Sequence, residues 1–289
     1  MWKRQHRKKL QSTPFPPAWR QFLEAHVPIY GRLPEPDRRE LEGHTQVFLA
    51  EKNFEGCGGL AMTEEIKVCI AAQACLLLLH RDTDYYPGLR SVLVYPGRYF
   101  APTTRHLGSG IVEERQEARL GEAWPEGTVV LAWDAVRAGA SDPKVGTNIV
   151  LHEFAHLLDF EDGWTTGAPS LDGGESPSAG RSRKASWARV LGAEFKKLRA
   201  GAQQGEPVDL DVYGATNPAE FFAVATESFF ERPQEMQDKH PELYDQLKGF
   251  YRQDPAQWTG EKGAANAHGS MQGESDESDG SDGSDGLGG

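Results

Sequence analysis

The tightest constraint on this chain is the segment Ile149-Val150-Leu151-His152-Glu153-Phe154-Ala155-His156-Leu157-Leu158. Nearly every position not taken by His or Glu is apolar, the pattern of a helix buried on most sides. Thr147 and Asn148 offer side-chain caps at its start, and Gly163 is placed to stop it. Histidines four apart project from one helix face, a turn apart, so both rings reach one ion. On a solvated helix the same residues would be ordinary surface. Here the apolar flanks bury them, and two unpaired imidazoles in such a place are costly. A metal removes that cost. Zinc fits best, because it takes neutral imidazole readily and its catalytic sites use three protein ligands, leaving the fourth position open. Glu153, next to the first histidine, cannot easily reach the same ion but can take a proton from an attacking water. The pattern therefore predicts one Zn2+, held by His152 and His156, in an enzyme that hydrolyses peptide bonds.

Three downstream carboxylates compete to be the third ligand. Asp162 lies six residues after His156, but that arrangement needs a glycine three residues after the second histidine, where this chain has Asp159. Glu220 and Glu227 lie seven apart on one face of a helix that Asn217 caps and Pro218 begins. Spacing alone does not separate them. Tyr213, seven residues before Glu220, favours Glu220, since a phenol there can donate to the oxyanion of a tetrahedral intermediate. Gly214 and Ala215 are small enough to let the backbone approach the metal.

Around this motif the chain reads as mainly helical. Helical patterns cover Pro17 to Leu23, Pro34 to Leu49, Thr63 to Leu79, Trp187 to Leu198, Asn217 to Phe230 and Pro241 to Tyr251. Ser91 to Tyr95 and Thr128 to Trp133 read as strands of a small sheet. The Gly-, Ser- and Pro-rich stretch Thr165 to Arg183 reads as a loop. A basic, flexible start is expected over 1–14, one folded domain over 15–258, and a disordered acidic Gly/Ser/Asp-rich tail over 259–289.

The net charge of -12 argues against a nucleic-acid binder. Six carboxylates between Glu274 and Asp285 account for half of that excess. The folded body is thus only mildly acidic. Cys57, Cys69 and Cys75 have no metal-type spacing and read as free thiols of a reducing compartment. The basic start is followed by Gln11-Ser12-Thr13-Pro14-Phe15-Pro16-Pro17 in place of an apolar signal core, and the longest apolar run is too short to span a bilayer. A cytoplasmic location is expected.

His152-Glu153-Phe154-Ala155-His156-Leu157-Leu158-Asp159 together with Tyr213-Gly214-Ala215-Thr216-Asn217-Pro218-Ala219-Glu220-Phe221-Phe222-Ala223-Val224 resembles the Mlc titration factor A family of bacterial zinc metallopeptidases, over about residues 15 to 258. The resemblance implies an α+β, mainly helical, zincin-like fold with a small sheet beside the active-site helix. It implies His152, His156 and Glu220 as ligands, Glu153 as base and Tyr213 as a catalytic tyrosine. The catalytic domain of anthrax lethal factor is similar in this local sense, with the same step from tyrosine to ligand glutamate, which favours Glu220 over Glu227. Some family members cleave amino-terminal residues from peptides. Enterobacterial members bind the repressor Mlc, so a competing expectation is a regulatory protein that sequesters a transcriptional repressor, with peptidase activity secondary. Two further residues carry alternatives. Asp159 either accepts a hydrogen bond from a ligand imidazole or is a helix-end carboxylate in solvent. Trp133 and its strand either border an extended substrate or pack in the core.

Overall fold

The computed structural model describes residues 2–106, 112–124, 127–141, 147–163, 166–171 and 177–258. The proposed acidic tail, 259–289, lies outside the described residues. Helices α1 (Trp2–Ser12), α2 (Pro17–His26), α3 (Pro28–Arg32) and α4 (Glu35–Glu51) lead to strand β1 (Asn53–Gly56) and helix α5 (Glu64–Leu76). Strands β2 (Ser91–Tyr95), β3 (Tyr99–His106), β4 (Val112–Arg119), β5 (Gly121–Trp124) and β6 (Thr128–Ala132) follow, then α6 (Trp133–Ser141) and α7 (Ile149–Asp159). The rest is α8 (Pro177–Gln204), α9 (Pro218–Glu231), α10 (Pro233–Lys239) and α11 (Pro241–Tyr251). The class is α+β and mainly helical, as the sequence implies. Several helices open on proline, whose missing N–H is no loss in a first turn.

The main sheet runs β1-β2-β6-β5, and β3 and β4 form a separate antiparallel pair. β1, β2 and β6 are parallel, while β5 pairs antiparallel with β6, from Gly121 opposite Leu131 to Trp124 opposite Thr128. Val92, Val94, Val129 and Leu131, which share one face of the sheet, are fully buried, while Leu93 and Tyr95 on the other face of β2 are only partly so. β6 is paired on both sides, so the strand before Trp133 cannot offer its edge to a substrate. Trp133 itself opens α6 and packs, partly buried, against the core. The edge strand beside α7 is β5, which sequence patterning does not announce.

Three other expectations differ from the structure. Residues 2–12 form a helix where a flexible start was expected, because Arg7 grips Glu51 in a two-pronged pair at 2.6 and 2.7 Å and reaches Asp84 at 2.6 Å. The apolar run after Thr63 leaves the helix at Leu76 and continues as buried turns through Leu79. From Pro177 the small-residue stretch is already helical, the first turns of a 28-residue α8.

α7 separates core from cleft. Its inner face buries Val150, Leu151, Phe154 and Leu158, and the Phe154 ring meets Tyr86 edge-on with centroids 4.9 Å apart. Such burial is worth about 2–3 kcal/mol for one aromatic side chain. No helix among the described residues is long and apolar enough to cross a membrane.

Candidate active site

Asn148 fixes where α7 begins, its Oδ1 accepting from the N–H groups of Val150 and Leu151 at 3.2 and 3.1 Å. From that start His152, Glu153 and His156 fall toward a cleft of about 1120 Å³. α9 crosses the same cleft. Asn217 caps it by accepting from Ala219 and Glu220 at 2.9 and 3.0 Å, which sets the turn on which Glu220 faces α7.

The polar atoms converge closely. His152 Nε2 is 3.0 Å from Glu220 Oε2, His156 Nε2 is 3.3 Å from the same oxygen, and the two ring nitrogens are 3.2 Å apart. Together these three residues form a group able to hold a metal ion. His152 Nδ1 lies 2.7 Å from Glu227 Oε1. An ionised carboxylate only accepts, so Nδ1 donates to Glu227, and with a cation in place Nε2 would turn its lone pair to the centre. Two imidazole nitrogens and a carboxylate oxygen thus meet at one point: the rings donate to Glu220 as they stand, and all three atoms would turn electron pairs to a cation placed between them. The carboxylates' pull shows in the titration of the centre. Burial disfavours a charged His152, yet hydrogen bonds to Glu220 and Glu227 hold its proton well above the ordinary range. Burial would likewise raise Glu220, but hydrogen bonds from His152 and His156 bring its carboxyl down to about 2. Glu153, 5% exposed, is shifted upward by burial despite both histidines.

Of the alternatives to Glu220, Glu227 is engaged elsewhere. Glu227 lies behind His152 and not beside Nε2. Its Oε2 accepts from the Asn148 backbone N–H. Asp162 ends a 3-10 turn after α7, and its side chain lies outside the described residues. Asp159 is fully buried and not in solvent. Its Oδ2 accepts from the Gly167 N–H at 2.7 Å. Gly167 has φ +72°, and a Cβ there would come within 2.3 Å of the Pro218 carbonyl oxygen. Asp159 therefore ties the segment after α7 to the first residue of α9.

Tyr213 stands in a 3-10 turn, Val212–Ala215, with its N–H bonded to Asp211 Oδ1 at 2.8 Å. It is 54% exposed, and its ring lies 5.9 Å from the His152 ring. Gly214 is small for a different reason from the one its position suggests. A Cβ there would crowd Leu198 and Val224 at 3.2 and 3.3 Å, so the glycine lets this turn settle on α8 and α9.

Leu120, Gly121, Glu122 and Ala123 border the cleft opposite α9. The closest approach is at Gly121, where a Cβ would lie 2.6 Å from Glu153 Oε1 and 2.7 Å from Ile149 Cγ1. Sequence reading missed this glycine. Its one signal is a Gly in a strand, which marks a close approach.

Similarity to known proteins agrees with this geometry. A protein of Synechocystis sp., slr2042, uncharacterised by name, is 37% identical over 249 residues, 86% of this chain and 88% of its own. The Mlc titration factor A proteins of Yersinia pestis and Yersinia pseudotuberculosis are 29% identical over 239 residues, 82% of this chain and 84% of theirs. The sequence pattern of the glucose-regulated metallo-peptidase M90 family matches residues 1–252. With its histidine and glutamate cluster and a match of this extent, the chain belongs to the M90 family of metallopeptidases.

Proposed function

We propose that this chain is a zinc-dependent peptidase in which His152, His156 and Glu220 hold one zinc ion, Glu153 is the general base and Tyr213 stabilises the oxyanion. The observation that carries the reading is the triangle of Nε2, Nε2 and Oε2, with edges of 3.0, 3.2 and 3.3 Å. Three ligands of a tetrahedral zinc at about 2.0–2.1 Å stand about 3.3 Å apart. When bound there, zinc polarises a carbonyl and makes water acidic near neutral pH. Glu153, its proton affinity raised by burial, accepts a proton from water in the cleft and delivers it to the departing amine. Tyr213, an exposed residue of the cleft lining, donates its phenol O–H to the carbonyl oxygen as negative charge gathers there. An extended peptide pairs with the outer side of β5, the terminal strand of the sheet among the described residues. An aminopeptidase-like preference suits this cleft, because Glu122 and Asp211 line it and no Lys or Arg is among its described lining residues.

The test is Glu153→Gln. It should retain zinc and lose turnover by at least about 10²–10⁴-fold, the usual contribution of a positioned base. Cleavage at the wild-type rate would refute the mechanism.

A second reading is regulatory: binding of a transcriptional repressor, with hydrolysis secondary. It is favoured by the name Mlc titration factor A carried by the Yersinia relatives. Stable retention of purified repressor by the Glu153→Gln protein, with no cleavage by the wild type, would support it.

A further inference from the structure

Behind the candidate metal ligands lies a polar junction that the reaction itself does not use. Asn148 is 2% exposed, and each of its side-chain polar atoms is engaged. Oδ1 takes the two amides that start α7. Nδ2 donates to Gln73 Oε1 on α5 and to Glu231 Oε1 on α9, both at 2.8 Å. The backbone N–H of the same residue donates to Glu227 Oε2, whose other oxygen receives the proton of His152 Nδ1. Gln73 and Glu231 are also buried, at 1% and 4%. A buried network this fully satisfied holds its members in one geometry, and a partly satisfied one costs more than an apolar core.

The chemistry requires such a hold. A ligand imidazole binds through Nε2 only if the proton sits on Nδ1, and only if the ring plane points the lone pair at the ion. Glu227 fixes both, provided its own carboxylate cannot rotate. The Asn148 N–H supplies that restraint by pinning Oε2 from across the helix pair, while Gln73 and Glu231 pin Asn148 in turn.

We propose that Asn148 is a positioning residue for the metal centre: through Glu227 it sets the tautomer and ring orientation of His152, and so the affinity of the three ligands for zinc. The proposal rests on the metal reading above. It extends the functional unit to Gln73 on α5, a helix that does not border the cleft.

The experiment is zinc affinity of the full chain by competition with a chromogenic chelator, with thermal unfolding measured in parallel. Asn148→Ser keeps a capping hydroxyl but loses both side-chain N–H donors. Glu227→Gln cannot accept at both ends. Glu227→Gln should lose about 10–100-fold in affinity, the usual effect of removing a ligand's outer partner. Asn148→Ser should lose about tenfold, and the double variant should lose no more than Glu227→Gln alone, because both act on one imidazole. Gln73→Met leaves the cap intact and carries the test if Asn148→Ser does not fold, with an expected loss of about threefold. Replacing zinc by Co2+ gives a second readout, since a reoriented His152 shifts the visible absorption bands, whereas a purely structural role lowers the melting temperature alone. Folded variants that bind zinc as the wild type does, or losses that add in full, overturn the proposal. Failure of the wild type to bind zinc at all would overturn the metal reading, and the proposal with it.

Discussion

Gly121 and Glu153 are in contact across the floor of the cleft: a Cβ on the glycine would stand 2.6 Å from the carboxylate's Oε1. The edge strand thus sets the position of the proposed base from outside its helix. Gly121→Ala forces Glu153 or Ile149 to move, since 2.6–2.7 Å is well inside van der Waals contact. The expected result is a fall in kcat of about 10–100-fold from misplacing a catalytic group by roughly an ångström, with zinc affinity within twofold of wild type. Steady-state kinetics beside a chelator titration separates the two effects.

Tyr213→Phe should leave folding untouched, because the side chain is 54% exposed and its ring stays. Losing one oxyanion donor costs about 10²–10³ in kcat. KM and zinc content should hold. A variant with full kcat would remove Tyr213 from the mechanism.

Metal removal should be visible without any substrate. Ligands that bind only the folded state add about 2.7 kcal/mol when present at about 100 times their Kd. Stripping zinc with a chelator should therefore lower the melting temperature by several degrees, and adding zinc back should restore it. His156→Ala should show no such response.

Glu231 predicts a pH dependence of stability. Burial pushes its carboxyl from an ordinary 4.5 up to about 7, with Glu227 adding to the shift and Asn148 and Arg32 opposing it. The folded state therefore holds a proton that the unfolded state has released. Stability from this group is intact below about pH 4.5 and falls as pH rises toward 7. Glu231→Gln keeps an acceptor for Asn148 but cannot ionise. Chemical denaturation should find it more stable than wild type above pH 7 by about 1–3 kcal/mol and equal to it near pH 4.5.

Arg7→Met tests the attachment of α1. The arginine side chain is 13% exposed and bonded to Glu51 and Asp84. Charged hydrogen bonds of this kind contribute about 1.5–3 kcal/mol, so α1 should become protease-sensitive while the proposed zinc site keeps its affinity.

How much of this was readable in the sequence depended on distance along the chain. α7, its Asn148 cap and the face shared by His152 and His156 follow from local periodicity and cap chemistry, and the structure has them in place. Glu220 and Glu227 share a face by the same periodicity. Which one reaches the ring nitrogens at the cleft is decided by how α9 docks antiparallel to α7, a relation that no spacing encodes. That docking puts Glu220 level with Nε2 and Glu227 level with Nδ1. Strand β5 was invisible because Gly-Glu-Ala-Trp is short and without β-branched residues. α1 was misread because it has no fully buried residue, and its order comes from ion pairs to residues 44 and 77 positions away.

The two helices that carry the candidate ligands are fastened at both ends. Asn148 holds the start of α7 to Glu227 and Glu231 late in α9, and Asp159 at its far end holds Gly167 against Pro218, where α9 begins. Neither helix can open without releasing the other. In hydrogen exchange, the amides of residues 152–158 and 222–230 should then behave as one cooperative unit with a common opening energy, so that even before a metal binds, the two halves of its site are gained and lost together.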